Sequence, residues 1–150
     1  MRALFDANVL IAILDEQHVH HWVAHEWWAA NRSDGWATCP LTENGMTRIM
    51  SQPTYKKRIA ATFAIDLLAE QAERTDHAFW PDDLSLRDPE IFDPGRILGP
   101  NQVTAAYLLA LAVKHGGRLV TFDQAIPLRA VRRASERHLV VLARAATSSE

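Results

Sequence analysis

Two short apolar runs, each ending at an aspartate, place the strongest constraint on how this chain can fold. Residues 3–5 (Ala-Leu-Phe) stop at Asp6, and residues 118–122 (Arg-Leu-Val-Thr-Phe) stop at Asp123. An apolar stretch over 9–14 follows the first run almost directly, as in a strand that leads into a helix. Strands of unbroken apolar character are typical of a parallel sheet covered by helices, so both aspartates are expected at the carboxyl edge of the sheet.

The rest of the chain alternates between helical and extended patterns. Thr42 and Asn101 are the predicted N-caps of two helices, and Trp22 and Trp27 fall on the apolar side of a third. The proline-rich segment 81–100 is predicted to be one long irregular connection. These patterns predict a three-layer α/β/α domain with a central, mainly parallel sheet. The other predicted elements are helices over 9–14, 20–30, 55–72 and 101–115, and strands over 36–39, 78–81 and 139–142.

Length and composition predict one domain and exclude several classes of protein. A chain of 150 residues can bury a core without a metal or disulfide, so we expect one domain over 1–145 and a frayed tail over 146–150. The single cysteine, Cys39, excludes an internal disulfide framework and a cysteine-based zinc site. No apolar run approaches the roughly 20 residues that cross a bilayer, so we expect a cytoplasmic protein with no membrane partner. The net charge of −2 excludes nucleic-acid binding by global basic charge alone.

Three acidic residues are candidates for a metal site. Asp6 and Asp123 end two predicted strands, and Glu43 lies in the first turn of the helix after a third strand. Carboxylates that converge at one edge repel each other unless a cation holds them, and an all-oxygen site suits Mg²⁺ or Mn²⁺. Such a site predicts metal-assisted attack of water on a phosphodiester. The alternative is that these acids only cap helices and solvate loops.

Three segments of the chain form one recognisable pattern: Leu4-Phe5-Asp6-Ala7-Asn8-Val9-Leu10, the helix opening Thr42-Glu43, and the block from Val103-Thr104 to Thr121-Phe122-Asp123. Together they resemble the PIN-domain ribonucleases, specifically the VapC toxins of bacterial toxin–antitoxin pairs. The resemblance covers nearly the whole chain in the right order. It implies a PIN-like fold and a divalent-metal-dependent endoribonuclease that acts on a tRNA or other structured RNA with an exposed loop.

The resemblance also assigns individual residues and partners. It implies that Asp6, Glu43 and Asp123 bind Mg²⁺ or Mn²⁺, that Asn8 supports the first aspartate, and that Thr121 helps to hold the site together. It further implies that a VapB-type antitoxin covers the site and that the toxin forms a homodimer.

Ala105 departs from the family pattern. The family has an aspartate after the Val103-Thr104 pair, in the first turn of a helix, where the helix dipole favours an anion. Its absence removes one carboxylate from the expected metal site. We interpret Ala105 as an inactivating substitution in a toxic nuclease; a natural relative with a weakened site is the alternative.

Two other clusters have both structural and functional interpretations. His21 and His25 stand four residues apart and could clamp a transition metal, but the sequence offers no third ligand nearby, which favours ordinary helix histidines. A run of arginines at helical spacing predicts one basic stripe that could guide RNA phosphates, or a solvated face. The stripe comprises Arg129, Arg132, Arg133 and Arg137.

Two other functions remain open on sequence grounds. A catalytically silent PIN module used for binding is consistent with the missing acid at position 105. A phospho-acceptor receiver domain also places acids at strand ends. It needs a lysine at the fifth strand, and this chain has none beyond Lys114.

Overall fold

The structure, a computed structural model that describes residues 1–144, is built on a sheet of five short parallel strands. The strands are β1 (Ala3–Phe5), β2 (Trp36–Thr38), β3 (His77–Phe79), β4 (Arg118–Thr121) and β5 (Leu139–Val141). Their order across the sheet is β3-β2-β1-β4-β5, and every neighbouring pair is parallel. The predicted domain end at 145 and the predicted tail over 146–150 lie outside the described residues.

Helices cover both faces of this sheet. They are α1 (Ala7–Leu14), α2 (His21–Asn31), α3 (Pro40–Ser51), α4 (Ala61–Arg74) and α5 (Val103–Lys114). Helices α1 to α4 share one core with Phe5, Trp36 and Val120, whereas α5 shares a second core with Leu4 and Leu119. Side chains of a strand alternate between its two faces, so consecutive residues of β1 and β4 enter opposite cores. The predicted three-layer α/β/α architecture is confirmed.

The chain reverses its direction of travel across the sheet between β1 and β4. It runs outward from β1 to β2 and β3 through α1 to α4, then returns through α5 to β4 on the other side of β1. A parallel sheet opens a crevice at the carboxyl ends of the two strands that flank such a reversal. Asp6 follows β1 directly and Asp123 lies two residues after β4, so both stand at this crevice.

The predicted helix over 55–72 is wrong in its first part. Helix α4 begins only at Ala61, and the preceding segment folds back as turns in which the Ile59 amide donates to the Met50 carbonyl at 3.1 Å. Tyr55 and Ile59 still pack against the core, and the Tyr55 hydroxyl donates to the Asp15 carboxylate. Their spacing of four residues therefore imitated one face of a helix.

Two predicted helix starts and one predicted burial also need correction. Helix α3 begins at Pro40, so Thr42 is its third residue, where the hydroxyl bonds both backbone groups of Cys39. Helix α5 begins at Val103, because the residues around Asn101 form a short 3-10 turn. Trp22 is 73% exposed rather than on the apolar side of α2, whereas Trp28, six residues further along the same helix, is buried in the core. No helix within residues 1–144 is long and apolar enough to cross a membrane.

The start of β4 leaves no room for a side chain at Gly117. A Cβ atom built there would lie 2.6 Å from the Arg2 carbonyl oxygen and 2.7 Å from a ring carbon of Trp80. The Arg118 amide also donates to the Arg2 carbonyl at 3.0 Å, which ties the backbones of β1 and β4 together at this point.

We therefore expect Gly117→Ala to lower the free energy of unfolding by roughly 1–3 kcal/mol, because the Arg2 backbone and the buried Trp80 ring cannot move aside without repacking. Urea unfolding followed by circular dichroism measures this change. Gly95→Ala is the matched control, since its nearest neighbour would be 3.6 Å away, and its midpoint should stay close to that of the unchanged chain. Equal midpoints for the two variants would contradict the close packing at Gly117.

Candidate functional site

Asp6 is held at the end of β1 by hydrogen bonds to both of its carboxylate oxygens. As the N-cap of α1 it accepts from the Val9 amide at 2.9 Å through Oδ1. Its Oδ2 accepts at 2.5 Å from the hydroxyl of Thr121, which is the last residue of β4. These bonds come from two different elements, so the position of the carboxylate is fixed by the pairing of β1 with β4.

Thr121 also orients the second aspartate. Its hydroxyl oxygen accepts from the Asp123 amide at 3.0 Å while its proton goes to Asp6. The Asp123 Oδ1 accepts from the Ala125 amide at 2.9 Å, which closes the turn after β4. One hydroxyl therefore links the two acidic residues.

A cleft opens above these two acids. Two adjoining cavities of about 510 and 210 Å³ share Asp6, Asn8, Asn101 and Asp123 in their walls. Ala105 lines the smaller cavity from the first turn of α5, which carries no acidic side chain. The structure thus brings Asp6, Asn8, Thr121, Asp123 and Ala105 to one place.

Glu43 lies at the same edge of the sheet but lines neither cavity. Its Oε2 accepts from the Thr38 hydroxyl at 2.6 Å, at the carboxyl end of β2. The same hydroxyl lies 2.8 Å from Nε2 of His77 at the start of β3. Burial lowers the pKa of His77, an effect that the Glu43 carboxylate opposes. Glu43 is thus beside the cleft, with its carboxylate bonded toward β2 and β3.

The electrostatics of the cleft favour a bound cation. Burial raises the pKa of Asp6, and the nearby Asp123 raises it further, while the bonds from Thr121 and the α1 backbone lower it. Within residues 1–144 no three His, Cys, Asp or Glu side chains form a group that could hold a metal ion. Mg²⁺ commonly takes only one or two protein carboxylates and completes its shell with water and phosphate. Two carboxylates with the amide oxygens of Asn8 and Asn101 nearby fit such an ion.

The sequence did not indicate a site role for three residues that line the cleft. Arg144, two residues beyond the strand-anchored Leu142, lines the larger cavity and is its one positively charged residue in the described part of the chain. Gln102 joins two loops at the rim, accepting from the Leu98 amide at 2.8 Å and donating to the Ala125 carbonyl at 3.1 Å. Asn101 carried only a capping signal in the sequence, and Arg144 carried none, because it is an isolated arginine among alanines after the last strand.

The arginine and histidine clusters take other places. The predicted helical stripe is wrong, because 128–138 folds as short 3-10 turns and loops rather than an α-helix. Arg129 and Arg132 line one shallow cavity of about 320 Å³, whereas Arg133 lines a different one. Nδ1 of His21 is 2.7 Å from the carbonyl oxygen of Ala12, and its ring packs near His25. One ring nitrogen of His21 is therefore engaged by the backbone of α1.

The raised pKa of Asp6 generates a prediction about stability. A carboxyl whose folded pKa exceeds its unfolded value favours folding when protonated, and this contribution is lost as the pH rises through the folded pKa. In metal-free buffer, Asp6→Asn should therefore stabilise the protein at pH 7 by roughly 1 kcal/mol, which raises Tm by about 2–4 °C. The gain should shrink toward pH 4. Calorimetry with a chelator across this pH range measures it.

Asp66→Asn is the control for this experiment, because Asp66 is an exposed residue of α4. Its Tm should follow that of the unchanged chain at every pH. An Asp6→Asn variant that is less stable at pH 7, by an amount independent of pH, would show that burial does not disfavour the Asp6 carboxylate.

Comparison with known proteins agrees with this geometry. Residues 3–133 match the PIN domain. The chain is 49% identical to Ribonuclease VapC44 of Mycobacterium tuberculosis over 142 residues, which cover 95% of this chain and 100% of that protein. It is 42% identical to Ribonuclease VapC39 of the same species over 127 residues, 84% of this chain and 91% of the relative. Ribonuclease VapC38 is 42% identical over 125 residues, 83% of this chain and 86% of the relative. The chain therefore belongs to the PIN-domain family, and within it to the VapC proteins.

Proposed function

We propose that this protein is an endoribonuclease and the toxin component of a toxin–antitoxin pair, with its active site in the cleft of Asp6 and Asp123. The observation that carries the proposal is that the Thr121 hydroxyl donates to the Asp6 carboxylate and accepts from the Asp123 backbone amide, at the point where the sheet reverses its strand order. The names of the relatives, all ribonucleases of the VapC group, support the same reaction.

In this proposal Asp6 and Asp123 hold a divalent cation, Mg²⁺ or Mn²⁺, with Glu43 as a third acid beside the cleft. Asn8 supplies a neutral oxygen in the wall of both cavities. When bound, the cation lowers the pKa of water and neutralises charge that develops on the phosphate. Because water is the nucleophile, the 2′-hydroxyl of the RNA is not required.

The protein's own residues perform the remaining tasks. Thr121 keeps Asp6 and Asp123 in a fixed relation, so little reorganisation is needed when substrate arrives. Arg144 offers a guanidinium at the open side of the larger cavity, where a phosphate oxygen of the RNA can bind. Arg129 and Arg132 line an exposed surface that can contact more distant phosphates.

The partners follow from the same reasoning. We propose a tRNA or other structured RNA with an exposed loop as substrate, a VapB-type antitoxin as the inhibitor that covers the cleft, and a cytoplasmic homodimer. Among residues 1–144, the cleft carries two acids and a single arginine, which favours an inhibitor that presents a basic side chain to the carboxylates. Exposed Phe63 and Ile65 on α4 are apolar surface that a second copy could bury.

A catalytically silent binding module is the second candidate, and Ala105 is the observation that favours it. The first turn of α5 lines the cleft without an acidic side chain. A receiver domain is not a candidate, because the sheet order is β3-β2-β1-β4-β5, whereas receiver domains have the order 2-1-3-4-5.

Restoring the acid at position 105 separates the nuclease from the silent module. We expect Ala105→Asp to tighten Mg²⁺ binding and to raise cleavage of a fluorogenic RNA on the order of 10²-fold, because a further carboxylate enters the cleft wall. Ala105→Asn is the matched control, with the same shape and no charge. Adding Asp6→Asn to the restored form should abolish cleavage. Equal rates for the Asp and Asn variants would contradict a ligand role for position 105.

Arg144 generates a separate prediction about RNA binding. With Ca²⁺ in place of Mg²⁺ to prevent cleavage, Arg144→Gln should weaken RNA binding, and the slope of log Kd against log salt should fall by about 1. Arg144→Lys should keep the slope because the charge remains. Arg74→Gln controls for net charge, since Arg74 is paired with Glu70 on α4, near the opposite edge of the sheet. Identical slopes for the two glutamine variants would exclude a phosphate contact at Arg144.

A further inference from the structure

Glu43, Thr38 and His77 form a continuous hydrogen-bonded chain beside the cleft. The Thr38 hydroxyl is 2.6 Å from Oε2 of Glu43 and 2.8 Å from Nε2 of His77. Thr38 is fully buried, at 0% exposure, so no water competes for its hydroxyl. Its burial also excludes Thr38 as a nucleophile toward a polymer substrate.

Counting protons decides which group donates in each of these two hydrogen bonds. A hydroxyl has one proton, and the Glu43 carboxylate can only accept, so the Thr38 proton points to Glu43. The hydroxyl oxygen must then accept from His77, which places a proton on Nε2 of the imidazole. The direction therefore runs from His77 through Thr38 to Glu43.

The three residues come from three separate elements. Thr38 is the last residue of β2, Glu43 is in the first turns of α3, and His77 opens β3. The pairing of β2 with β3 fixes the two strand residues relative to each other, and the Trp36 ring packs 4.5 Å from the His77 ring, centroid to centroid. The hydrogen bonds from His77 through Thr38 thus anchor the flexible side chain of Glu43 to the rigid part of the sheet.

We propose that His77 is a positioning residue, which orients the Glu43 carboxylate through the Thr38 hydroxyl. Only Oε2 of Glu43 is engaged in this way, and the described residues provide no hydrogen-bond partner for Oε1. Oε2 is therefore held in place, while Oε1 remains available to a ligand in the neighbouring cleft. The proposal builds on the proposed nuclease function, in which Glu43 is the third acid of the site.

The first test measures the orientation of Glu43 and does not depend on activity. The readouts are the ¹³C signal of the Glu43 carboxyl carbon at pH 7, assigned by its loss in Glu43→Gln, and crystal structures of the variants. Thr38→Val and His77→Leu each remove one link, and both should shift the signal and release the Glu43 side chain. Thr38→Ser and His77→Gln keep a donor at each place and should preserve both readouts.

Thr47→Val is the matched control for these variants. The Thr47 hydroxyl donates to the Glu43 backbone carbonyl at 2.9 Å, so its removal disturbs the same turn of α3 without touching the carboxylate. Its Glu43 signal should match that of the unchanged protein. An unmoved Glu43 carboxylate in His77→Leu would overturn the proposal, even if Thr38→Val displaces it.

The second test measures cleavage in the Ala105→Asp form, where activity is expected to be highest. His77→Leu should lower kcat about tenfold with little change in KM, because a misplaced catalytic group raises the barrier without altering substrate contacts. His77→Gln should recover most of this loss. In a Glu43→Gln background, His77→Leu should cause no further loss, since the two residues act as one unit.

The two tests separate the two proposals. A shifted Glu43 signal in a protein that cleaves no RNA supports the positioning role and counts against the nuclease. Full RNA cleavage with unchanged kcat in His77→Leu supports the nuclease and overturns the positioning role. Additive losses from His77→Leu and Glu43→Gln also overturn it, because His77 would then act independently of Glu43.

Discussion

The hydrogen bond from Thr121 to Asp6 is the interaction on which the cleft depends. It joins residues that are 115 positions apart in sequence, and it exists only because β1 and β4 pair in parallel. Asp6 then caps α1 through the Val9 amide, so the same carboxylate fixes the start of a helix. A single polar contact thereby sets the position of a helix and of two acids.

This arrangement places the Asp6 carboxylate where its charge disfavours folding of the metal-free chain. Burial raises the pKa of Asp6, and Asp123 adds repulsion of like charge. Thr121 and the backbone of α1 offset part of this cost by hydrogen bonding the charged form. In the proposed function, a cation bound between the two acids would remove the remaining repulsion and so stabilise the fold. With alanine rather than aspartate at position 105, the described cleft would attract such a cation with one negative charge fewer.

The sequence was most informative where structure is local. The apolar runs that end at Asp6 and Asp123 predicted β1, β4 and their shared edge, because unbroken apolar strands require burial on both faces. The segment around Tyr55 was misassigned because core contacts imitated a helical period. Thr42 was predicted as the N-cap from its residue type, but the N-cap of α3 is Cys39, three residues earlier, and the Thr42 hydroxyl bonds the backbone of Cys39.

The parts of the site that the sequence did not reveal depend on contacts between distant elements. Nothing near Glu43 in sequence indicates that its carboxylate bonds to Thr38, or that His77, 39 residues beyond Thr38, lies on the same hydroxyl. Arg144 reaches the cleft only because the Leu142 amide donates to the Thr121 carbonyl at 2.8 Å, which carries the chain past the end of β4. Thr121 therefore organises the cleft twice. Its side chain links the two acids, and its backbone directs the only positively charged residue of the described cleft toward them.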